Sequence, residues 1–123
     1  MEKKDKYILM EKKGKESEQK VFQALEELKR EGKIKDFGQS FQFSQEDVEG
    51  IDFIILPQKG KAIYLQVKST FIEKKKEKYE RRGIAFLAVE EKKLREIKEE
   101  LIKIIKNSAS KSADFFLLNF VKN

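Results

Sequence analysis

Three polar residues stand where the sequence has little structural use for them. Asp52 interrupts the apolar run Ile51-Asp52-Phe53-Ile54-Ile55-Leu56. Gln66 and Lys68 interrupt a second run, Tyr64-Leu65-Gln66-Val67-Lys68-Ser69. Burying a carboxylate or an ammonium costs several kcal/mol unless it is paired or holds a metal. An acid, an amide and a lysine on two neighbouring strands therefore point to a site. Read singly, each has a simpler explanation. Asp52 could be a turn-adjacent acid paired with a lysine, and Gln66 and Lys68 could line the solvent face of an edge strand, where lysine guards against aggregation. Those explanations account for each residue but not for the set.

The composition narrows the chemistry. The chain has 123 residues, with neither cysteine nor histidine. That excludes zinc fingers, thiol nucleophiles, disulfide scaffolds and Ser-His-Asp triads. Any metal would be held by carboxylates, amide oxygens, backbone carbonyls and water, a set that suits Mg²⁺ or Mn²⁺. The formal charge is +6, which makes a polyanion such as DNA a candidate partner. No apolar stretch is long enough to span a membrane, and the N-terminus lacks the core of a signal peptide, so the expected location is cytoplasmic.

The elements that must position these residues follow from periodicity. The length fits one domain over residues 1–123, with residues 1–13 a candidate flexible arm that could dock through Tyr7-Ile8-Leu9-Met10. Residues 15–30 read as a helix with Val21, Phe22, Leu25 and Leu28 on one stripe, ended by Gly32. Phe37, Phe41 and Phe43 alternate as in a strand, and residues 44–49 read as a turn. Strands follow over 51–56, 62–69 and 84–89, with a short helix over 71–82 between the last two. Residues 91–106 form the clearest helix, and the apolar run 115–121 reads as a final strand. This order predicts an α/β fold: a mixed β-sheet flanked by helices.

Turn composition at Pro57-Gln58-Lys59-Gly60-Lys61 predicts a hairpin centred on Lys59. In that register Asp52 lies opposite Gln66, and directly opposed side chains are about 5 Å apart at Cβ. Gln66 and Lys68 share a face because strand side chains alternate. A slip of one residue would turn Asp52 to the other side. Glu18 falls on the apolar stripe of the first helix, sharing a face with Val21, Phe22 and Leu25, and a carboxylate on an inward stripe makes it a fourth candidate. The cations Lys74, Lys75, Lys76, Lys78, Arg81 and Arg82 follow the second strand, mixed with glutamates. They form either a solvated helix face or the lining of a DNA path.

These segments resemble the motifs of the PD-(D/E)XK nuclease superfamily, the restriction-endonuclease-like group. Gly14 to Leu25 is similar to its first-helix motif, and Gly50-Ile51-Asp52-Phe53 to its acidic second-strand motif. Gln66-Val67-Lys68-Ser69 resembles the QxK variant seen in RecB-like members, and size and layout resemble small Holliday-junction resolvases. The resemblance covers roughly residues 14–105 and implies the αβββαβ core.

It further implies a metal-dependent DNA endonuclease that hydrolyses phosphodiesters, structure-specific rather than sequence-specific, with duplex or branched DNA as substrate and a homodimer as the working unit. Asp52, Gln66, the Val67 carbonyl and Glu18 would hold Mg²⁺ or Mn²⁺, and Lys68 would complete the catalytic set of Glu18, Asp52, Gln66 and Lys68. Ser69, Thr70, Lys74, Lys75, Lys76, Arg81 and Arg82 would contact DNA. The departure is Gln66, a neutral amide where resolvases carry a carboxylate. It leaves open an inactive nuclease-fold module that binds DNA or protein. A third reading, an assembly protein joined through the C-terminal apolar run, predicts a stable oligomer without affinity for DNA.

Overall fold

The computed structural model describes the backbone of residues 3–40 and 50–122, and the side chains of residues 15–40 and 50–108. Phe41, Phe43 and the turn expected over 44–49 lie outside the described residues. The chain forms α1 (Lys3–Arg30), β1 (Ile34–Gln39), β2 (Phe53–Pro57), β3 (Ile63–Lys68), α2 (Glu73–Arg81), β4 (Ile84–Ala88) and α3 (Leu94–Lys122). The strands build one mixed sheet in the order β1-β2-β3-β4. β1 and β3 run antiparallel to β2, while β4 runs parallel to β3, the parallel pair being joined by the α2 crossover. The α/β class and the αβββαβ order are those read from the sequence.

Alternation sorts the sheet residues. Phe53 and Ile55 of β2, Leu65 and Val67 of β3, and Leu87 of β4 are buried with Val21, Ala24, Leu25 and Leu28 of α1 and Ile97 and Leu101 of α3. That side is the main core. The intervening residues Tyr64, Gln66, Ile84 and Phe86 face the other side, where Tyr79 of α2 stacks on Phe86 at 6.1 Å. The inward stripe of α1 is Ser17, Val21, Ala24, Leu25 and Leu28, one step round from the expected one. Phe22 is left exposed at 38% and packs edge-on against Phe37 of β1 instead.

Local signals set several boundaries. Gly32 has φ +76, Lys33 N–H donates to the Leu28 carbonyl and Gly32 N–H to that of Lys29. This is a Schellman stop, which needs a residue free to adopt the left-handed region. Lys98 ties α3 to α1 by bonding Glu31 at 2.8 Å and Glu27 at 3.4 Å. The Lys98 bond holds the Glu31 carboxyl below its ordinary range, and the Glu31 bond raises Lys98. Stability from the depressed acid is present at neutral pH and lost as pH falls through its folded value; that from Lys98 is lost only as pH rises past the ordinary lysine range.

Two expectations are corrected. The apolar run 115–121 is not a strand; it belongs to α3, which continues unbroken to Lys122. A short apolar run has no period long enough to separate strand from helix, and nothing between Lys106 and Lys122 is a proline or glycine that would stop α3. Likewise α1 begins at Lys3 rather than near residue 15, so the backbone of 3–13 is helical. The lysines and glutamates there are good helix formers, and the single Gly14 costs only about 1 kcal/mol. Among the described residues no helix is long and apolar enough to cross a membrane.

Candidate active site

The hairpin has the register that the turn predicts. Phe53 pairs with Leu65, Ile54 with Tyr64 and Ile55 with Ile63. Asp52 lies just before the first pair, at the end of the hairpin away from the turn. There the ladder bends: Asp52 N–H donates to the Leu65 carbonyl at 2.8 Å, and its carboxylate accepts the Val67 N–H at 2.7 Å. The side chain thus takes over a backbone partner that β2 no longer supplies. A carboxylate accepting a peptide N–H makes one of the stronger hydrogen bonds available in proteins.

Gln66 bonds the same residue. Its Nε2 donates to the Val67 carbonyl at 3.4 Å, while its Oε1 is buried with no hydrogen-bond partner among the described residues. The residue is only 5% exposed. A buried acceptor left without a partner costs about 1–3 kcal/mol, so such atoms call for a reason. Asp52 and Gln66 therefore meet at one residue, Val67, the first at its N–H and the second at its carbonyl. Lys68 follows, half-buried, opposite Ala88 of β4.

Supporting residues that the sequence reading did not single out fix this corner. Ser40, just after β1, hydrogen-bonds the Ile51 carbonyl through Oγ, and its N–H donates to the Asp52 carbonyl at 2.9 Å. Gly50 has φ +85, and a Cβ there would stand 2.8 Å from Cε1 of Tyr79 and 3.4 Å from Oε1 of Gln66. Gly50 thus leaves room for the Tyr79 ring, on the side of Gly50 where the Gln66 amide oxygen also lies. The visible signals were the Gly-Ile-Asp spacing and the lone Tyr79 in a charged helix. Gly50→Ala adds left-handed strain to overpacking and is expected to cost about 2–4 kcal/mol. Denaturant midpoints check this. Tyr79→Leu in the same chain should recover the steric part but not the backbone part.

Glu18 is placed differently from the other three. Its carboxylate accepts from Gln39 Nε2 at 3.5 Å, at the end of β1, and Lys15, Gln19 and Phe22 surround it. Gln39 pairs with Phe53, so Glu18 lies at the same end of the sheet as Asp52. It comes from the α1 side and sits two strands from Gln66, which faces α2. Among the described residues no three acidic side chains form a group that could hold a metal. A bound ion would therefore depend on the Asp52 carboxylate together with amide and carbonyl oxygens.

The candidate DNA contacts divide by position. Ser69 and Thr70 continue from the site end of β3, with Lys74 and Lys75 exposed on the first turn of α2. Lys76 lies 5.8 Å from the Phe71 ring centre and 3.9 Å from Glu80. Arg81 and Arg82 are exposed at the far end of α2, about 12 Å along its axis, where the chain turns into β4. No protein-family model, curated protein or solved structure matches the chain.

Proposed function

We propose that this chain is a Mg²⁺-dependent DNA endonuclease that hydrolyses phosphodiester bonds in branched or otherwise irregular DNA. The observation that carries the reading is the corner at Val67. A carboxylate, a buried amide oxygen without a partner and a backbone carbonyl lie around one residue, Val67, next to a lysine in the chain. Those oxygens fit a hard divalent cation, which prefers uncharged and carboxylate oxygen over nitrogen or sulfur. Asp52, Gln66 and Val67 would hold the ion, with Glu18 a further acid at that end of the sheet among the described residues. When bound, the ion lowers the pKa of water and neutralises charge on the phosphate.

The chain's own residues do the rest. Lys68 orients a scissile phosphate and balances the charge that builds on its oxygens as the bond to the leaving group breaks. Ser69 and Thr70 offer hydroxyl donors to the neighbouring phosphate. The Val67 N–H holds Asp52 in one orientation, so little is lost to reordering when the substrate arrives.

Incubating the protein with branched and linear DNA and Mg²⁺ tests the reading. Cleavage of the branched DNA that disappears with chelator is expected; no cleavage of either DNA in Mg²⁺ or Mn²⁺ sinks the catalytic claim. The neutral Gln66 favours a second reading, the same fold retained as a binding module. Gln66→Glu separates the two. In a working site the added charge should tighten Mg²⁺ by about tenfold or more, measured by calorimetry. In a retired site it should only destabilise, because a second carboxylate would then be buried beside Asp52.

A further inference from the structure

The segment that leaves the candidate site, Ser69 to Ile72, presents two large apolar side chains to solvent. Phe71 is 50% exposed and Ile72 42%. One exposed hydrophobe is ordinary, but these two are adjacent and are held in place from several sides. Glu90 N–H donates to the Ser69 carbonyl at 2.7 Å, and Glu90 Oε1 accepts the Phe71 N–H at 3.2 Å. To make both bonds Glu90 adopts φ 49, the only non-glycine residue with positive φ among those described. Such a conformation costs free energy and persists where the surroundings impose it. The Phe71 ring meets Phe86 edge-on at 6.2 Å, which fixes its base while half of it stays open. The Lys76 ammonium lies over the ring, 5.8 Å from its centre, where it would move aside to pair with the phosphate of an incoming nucleotide, and Lys74 and Lys75 are exposed close by in the chain. Lys68 precedes the segment on β3.

We propose that Phe71, latched by Glu90 and flanked by Ile72, is a stacking platform for an unpaired nucleobase next to the phosphate held at Lys68. This deepens the nuclease reading and rests on it. An aromatic face among cations matches the two parts of a single-stranded nucleotide, the base and the phosphate. Charge complementarity with a chain of net charge +6 points the same way. Within a paired duplex a base is already stacked on both sides and offers no face to Phe71. The platform therefore selects DNA with flaps, gaps or branch points, and it works for any base because every base has a π-face.

The chain contains no tryptophan, so Phe71→Trp introduces a single fluorophore at the platform. The protein is titrated without divalent metal, so that cleavage plays no part, with a short duplex and with the same duplex carrying a single-stranded flap. Binding is followed independently by anisotropy of labelled DNA. Tryptophan quenching by the flapped DNA and not by the duplex is the expected result. Phe71→Ala should weaken binding of the flapped DNA by about ten- to a hundredfold and leave the duplex unchanged. Glu90→Ala should give a smaller loss of the same selectivity. Binding of flapped DNA without quenching, or an equal loss on both DNAs in Phe71→Ala, overturns the platform and leaves the nuclease reading standing. Absence of binding to either DNA overturns both.

Discussion

Asp52→Asn is expected to leave the protein folded and to reduce Mg²⁺-dependent cleavage by about a thousandfold. The two effects separate because the proposed metal-holding role of Asp52 comes on top of its hydrogen bond to the backbone. Its carboxylate accepts the Val67 N–H at 2.7 Å, a bond that an asparagine amide oxygen can also accept. Asparagine keeps that bond in neutral form, so the stability cost should be about 1 kcal/mol. What it cannot keep is the negative charge, which is the one formal charge among the oxygens that meet at Val67. Asp52→Ala should differ. It leaves the Val67 N–H without its acceptor and should cost about 1–3 kcal/mol in stability, besides the activity. Cleavage rates and urea midpoints for the two variants give the comparison. If Asp52→Asn cleaves as well as the parent, Asp52 is only a cap for the β3 backbone and the metal site does not exist.

Phe53→Ala should be among the most destabilising single substitutions, by about 3–5 kcal/mol. Phe53 is fully buried at the centre of the main core, paired with Leu65 on one side and Gln39 on the other. A domain of this size has about 5–15 kcal/mol in total, so the loss takes much of it. The substitution also tests how the core reaches the site. Phe53 is adjacent to Asp52, and a cavity beneath it would free the bend at which Asp52 turns to Val67. Leu101→Ala is the control, since Leu101 is equally buried but lies on α3. Both variants should lower the urea midpoint. At a temperature where both remain folded, only Phe53→Ala should also weaken metal binding. Equal metal affinity in the two would show that the corner holds its shape without support from the core.

Much of the sheet was legible before any coordinates. The hairpin register follows from a turn of known composition and a side-chain period of two, both properties of a few consecutive residues. For that reason Asp52 and Gln66 could be matched across the strands, and Phe53–Leu65, Ile54–Tyr64 and Ile55–Ile63 pair accordingly. The stop at Gly32 was equally local, because a left-handed C′ position favours glycine. The helix ends without such punctuation were not legible. Residues 115–121 have the side chains of a strand, yet they continue α3 because nothing breaks the helix before them.

The sequence by itself determined which residues face each other along the hairpin, since alternation and turn geometry act over short range. It also limited the chemistry, because a chain without histidine or cysteine would hold any metal mainly through oxygen donors. Tertiary structure decided the rest. The periodicity of α1 did not reveal that the helix is rotated to put Ser17 inward, which turns Glu18 toward Gln39 at the edge strand. Nor did it show that Tyr79 packs against Gly50, or that Glu90 holds Phe71 half in the open. These depend on how separate elements pack across the faces of the sheet. Packing answers to the shape and volume of every neighbour at once, and no local period carries that information.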